Sequence, residues 1–210
     1  MKGNFEDIET TTRKSAVIQE RMGLVCAHMY KQFLEYQQSN LNTSVLFDKI
    51  VENMSLMVEY LKQSFNMRGI PSENIYFEYD KQRHIAVVNI LWHSITFYAN
   101  MKGNPKALER AKDMPSLITG RIFALKGVLT ELSAGLSTEI EQKLLDMEVA
   151  SLFVPAEKSQ KAIIKIRHLS NQEFLINQMD APREFLLKVV EMVCGGGNYH
   201  NEGSRVTISI

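Results

Sequence analysis

The last thirty residues constrain the fold more than any other stretch of the chain. Positions 181–194 space their apolar side chains at helical intervals, and Gly195-Gly196-Gly197 stop that helix. A polar turn over 198–203 leads into Ser204-Arg205-Val206-Thr207-Ile208-Ser209-Ile210, which alternates polar and apolar residues to the end. A helix, a glycine stop and a period-2 strand together predict an α+β protein whose final strand is built into a sheet. The glycine run also resembles a phosphate loop, because backbone N–H groups in such a run can cradle a phosphate. Phosphate loops, however, follow a strand and open a helix, where the dipole is positive. Here the glycines close a helix and precede a strand, so they read as punctuation.

The first third of the chain reads as helical. Residues 1–14 are polar and mixed in charge and read as a flexible lead-in. Over 15–38, Val17, Met22, Val25, Met29, Phe33 and Tyr36 recur at spacings of three to five and define one helix face. Residues 39–44, Ser-Asn-Leu-Asn-Thr-Ser, read as a turn whose Thr43 or Ser44 caps a second helix. That helix carries Phe47, Ile50, Met54, Met57, Leu61 and Phe65 on one face. Two amphipathic helices joined by a short polar loop predict an antiparallel hairpin over 15–66. Gly69 and Pro71 break it.

Residues 74–210 read as an α+β domain, continuous with the hairpin as one structural unit. Residues 74–80 are aromatic-rich and predict a strand, followed by a turn at 80–83. Residues 84–100 are nearly all apolar and suit a buried strand or a buried helix. Helices are expected at 105–112, over 115–133 with Ile118, Ile122, Leu125, Val128, Leu129 and Leu132 facing inward, and from Ser137 or Thr138 to Val154, where Pro155 ends it. Residues 161–167 and 173–177 predict a strand hairpin, and Asp180-Ala181-Pro182 caps and starts the last helix. The expected fold is thus an N-terminal antiparallel helical hairpin followed by an α/β sandwich. Its sheet is mixed or antiparallel, and it ends in a helix–strand unit.

Composition narrows the function. Lys+Arg and Asp+Glu are both 24, so the net charge is zero, which argues against general nucleic-acid binding through a broad basic field. No apolar run approaches the roughly 20 residues of a spanning helix, and no export signal opens the chain. Cys26 and Cys194, the only two cysteines, form no CxxC motif and read as buried, reduced thiols of a cytoplasmic protein. The five histidines, His28, His84, His93, His168 and His200, match no metal motif. Pairs such as Glu139 with Glu141 and Asp146 with Glu148 read as solvated surface. No nucleophile motif is present. The reading therefore has no catalytic residue, no metal and no cofactor.

Methionine usage points elsewhere. Eleven methionines occur, several on the first two helices. Methionine-rich helical faces adapt to several partner shapes. The partner-binding set expected on this basis is Met22, Met29, Phe33, Met54, Met57 and Leu61, facing another protein or a second copy. The expected function is a non-enzymatic, cytoplasmic adaptor or chaperone-like subunit of a bacterial multiprotein assembly, for example a secretion system. A sensor binding a small molecule between sheet and helices is a further class.

One local pattern gives an alternative. Leu186 to Gly196, followed by Glu202-Gly203-Ser204 and the strand to Ile210, resembles the closing helix and last strands of histidine-kinase-type ATP-binding domains. That resemblance implies a phosphotransfer bundle around His28. The family's Asp-x-Gly-x-Gly box is replaced here by Asp180-Ala181-Pro182-Arg183, and Met29 follows His28 where an acidic residue is usual. The alternative is therefore a degenerate phosphotransfer or scaffold protein without ATP binding.

Overall fold

The computed structural model describes residues 4–100, 119–128, 146–167, 173–195, 201–202 and 205–206. The expected helix at 105–112, the ends 115–118 and 129–133 of the helix expected over 115–133, and Ser137 and Thr138 lie outside them.

The chain opens with one unbroken helix, α1 (Asn4–Met67, 64 residues), where a hairpin is expected. The polar run at 39–44 does not turn. Between Gly23 and Gly69 the sequence holds neither glycine nor proline, so nothing forces the backbone out of the helix. The turn-forming side chains are used laterally instead. Ser39 Oγ donates to Val154 O at 3.0 Å, and Asn42 Nδ2 donates to Pro155 O at 3.1 Å and Ala156 O at 2.8 Å. Thr43 Oγ1 bonds back to Ser39 O at 2.7 Å, the usual way a helical threonine satisfies itself. All three residues are buried. The run is a docking seam. α1 ends where Gly69 adopts a φ of 70° and Ile70 N–H returns to Phe65 O at 3.0 Å.

Seven strands follow: β1 (Ile75–Asp80), β2 (Ile85–Ile90), β3 (His93–Asn100), β4 (Thr119–Lys126), β5 (Glu148–Pro155), β6 (Ala162–Ile166) and β7 (Glu173–Ile176). They form one antiparallel sheet in sequence order, a meander. The apolar run at 84–100 is two strands, turned at Leu91-Trp92. The expected helices over 115–133 and up to Val154 are corrected at β4 and β5. β5 is buried at every residue, and Phe123 and Leu125 of β4 form a second small cluster with Tyr98 and Met147. A strand buried on both faces shows no clean alternation, so its apolar pattern does not separate it from a helix. The hairpin β6–β7 forms as expected.

Helix α2 (Ala181–Cys194) follows, with Pro182 in its first turn. Asp180 occupies the N-cap position but makes no side-chain cap hydrogen bond. Gly195 ends the helix by donating its N–H to Glu191 O at 2.7 Å, and a Cβ there would lie 2.5 Å from that oxygen. Among the described residues, β8 (Asn201–Glu202) and β9 (Arg205–Val206) pair with each other and not with the seven-stranded sheet. The expected terminal strand in the main sheet is therefore not seen at Arg205–Val206; residues 207–210 lie outside the described residues.

The core lies between one face of the sheet and the two helices. Phe47, Ile50, Met54 and Val58 of α1, and Phe185, Leu186 and Val189 of α2, meet Val88, Phe97, Ile122, Leu152 and Ile164 of the sheet. Phe97 and Phe185 meet edge to face with centroids 5.9 Å apart. Gly120 sets how closely α1 approaches. A Cβ built there would fall 1.7 Å from Thr43 Oγ1 and 3.2 Å from Ser39 O.

Candidate functional site

α1 divides into two halves with one periodicity and opposite environments. From Ser39 onward its apolar face lies on the sheet. Over residues 16–31 the same face continues exposed. At 100° per residue, Ile18, Met22, Val25, Met29 and Tyr36 fall on the azimuth of Phe47, Met54, Val58 and Phe65, with Cys26 and Phe33 at its margin. Every side chain from Ala16 to Lys31 is exposed. Met22, Met29 and Phe33 stand 51%, 62% and 52% exposed. The wholly exposed part of the helix, residues 16–31, spans roughly 24 Å at about 1.5 Å per residue. This arm leaves Ile18, Met22, Val25 and Met29 exposed in one continuous row.

The expected partner-binding set is thus split between two places. Met22, Met29 and Phe33 lie on the arm. Met54 is fully buried, and Met57 and Leu61 are half-buried against the same core, so these three side chains are committed to the fold. Ile18 belongs with the arm residues, and its place on the stripe follows from register alone. His28 and Cys26 are exposed on the arm, and Cys194 is half-buried in α2, so the expected burial of both thiols is corrected for Cys26. Burial raises the Cys194 thiol from 9.0 to about 11.

A shallow groove of about 500 Å³ opens where α1 leaves the sheet. It is lined by Leu34, Glu35, Gln37, Gln38, Leu41, Ala156 and Glu157. Trp92 is 81% exposed at the β2–β3 turn. Its neighbour Leu91 holds a φ of 57°, a conformation bulky residues rarely adopt. His93 lies beside the indole, with ring centroids 5.7 Å apart.

The polar clusters serve the scaffold. Glu148 is buried, not solvated as expected, and accepts from Arg121 and from Ser151 Oγ at 2.5 Å each. Arg121 Nε donates to Ser151 Oγ at 2.9 Å, and its guanidinium lies 4.1 Å from the centroid of Phe123. Charge, hydroxyl and ring thus satisfy one another across β4 and β5. Tyr79 OH donates to Asp48 Oδ1 at 2.8 Å and ties β1 to α1. His84 Nε2 and Ser44 Oγ are 3.4 Å apart, too long for an activated hydroxyl. Asp48 is spent on Tyr79 and does not orient the imidazole. Glu139, Glu141, His168 and His200 lie outside the described residues. No group of three or more His, Cys, Asp or Glu able to hold a metal occurs among the described residues. No described helix is long and apolar enough to cross a membrane.

Comparison with protein-family models, with curated proteins and with solved structures finds no match for this chain. The reading of function therefore rests on the arm, the sheet and their side chains.

Proposed function

We propose that the protein is a non-enzymatic, cytoplasmic, protein-binding subunit that engages another protein through the apolar stripe on the first half of α1. The observation that carries this reading is the continuity of the stripe. Identical periodicity builds a buried core after Ser39 and an exposed face over residues 16–31. A helix that keeps core-type residues at core spacing on an open face is shaped to be covered. Met22, Met29 and Phe33 suit an adaptable helix-in-groove or helix-on-helix contact. Two free cysteines support a reducing compartment. An adaptor or chaperone-like role in a multiprotein assembly follows from this surface, with a bacterial secretion system the first assembly to test.

The test is a quantitative pull-down read alongside a thermal melt. The wild-type chain is expected to retain a stoichiometric partner. Met22→Lys with Met29→Lys is expected to lose it while melting within about 0.5 kcal/mol of wild type, as surface substitutions do. A double variant that captures as well as wild type would remove the arm from the binding surface.

A further inference from the structure

We draw no further inference here: the strongest candidate, the tip of the β2–β3 hairpin where Leu91 holds a φ of 57° and Trp92 stands 81% exposed, lies apart from the arm already described, and nothing in the structure shows what covers it.

Discussion

At the scale of single residues, the structure depends on polar groups the sequence places among apolar ones. Arg121, Glu148 and Ser151 satisfy one another within β4 and β5, with Arg121 and Glu148 side chains 11% and 8% exposed. Arg121→Met removes the cation and leaves a buried carboxylate uncompensated, which costs about 3–5 kcal/mol. Arg121→Met with Glu148→Leu and Ser151→Ala removes every member at once and is expected to recover most of that loss in urea unfolding. Tyr79 supplies a second residue-scale prediction. Burial first, then its hydrogen bond to Asp48 and the charges of Asp48 and Asp80, raise its phenol from 10.0 to about 12. The folded state thus holds this proton more tightly than the unfolded chain. The associated stability is complete below pH 10 and is lost as the pH climbs toward 12. Burial pushes Tyr98 and Cys194 in the same direction. The denaturation midpoint is expected to fall over that alkaline window, and Tyr79→Phe is expected to fall less steeply without becoming flat.

At the scale of elements, the decisive contact is the seam between α1 and the ends of β4 and β5. Ser39, Asn42 and Thr43 carry turn-forming preferences, yet their hydrogen bonds go to Val154, Pro155, Ala156 and the helix itself. Gly120→Ala tests the seam. Its Cβ would lie 2.9 Å from Thr43 Cβ and closer still to Oγ1, so α1 must shift or Thr43 must leave its rotamer. The expected cost is about 1–3 kcal/mol, read as a lower melting temperature. An unchanged melt would mean that α1 does not sit this close. The seam also explains which elements were legible in sequence. β1, the β6–β7 hairpin and α2 are buried on one face, so their patterns carry the period of their structure. β4 and β5 are buried on both faces and lose that signal. The run at 39–44 misled because local propensity is weak against buried hydrogen bonds to a sheet. On the candidate site, Met22, Met29 and Phe33 were legible as a face. Met54, Met57 and Leu61 carry the same spacing and differ only in having a sheet beside them, which periodicity cannot reveal.

At the scale of the molecule, the single helix and the hairpin it replaces differ in length by a factor that solution scattering resolves. Sixty-four helical residues span roughly 96 Å at about 1.5 Å per residue. A chain folded back at 39–44 would have a longest helix of about half that. A monomer is therefore expected to show a maximum dimension of at least about 95 Å. Small-angle scattering extrapolated to low concentration tests whether α1 is continuous. A particle near 50 Å in length at every concentration would remove the arm itself, and with it the open stripe on which the proposed binding depends.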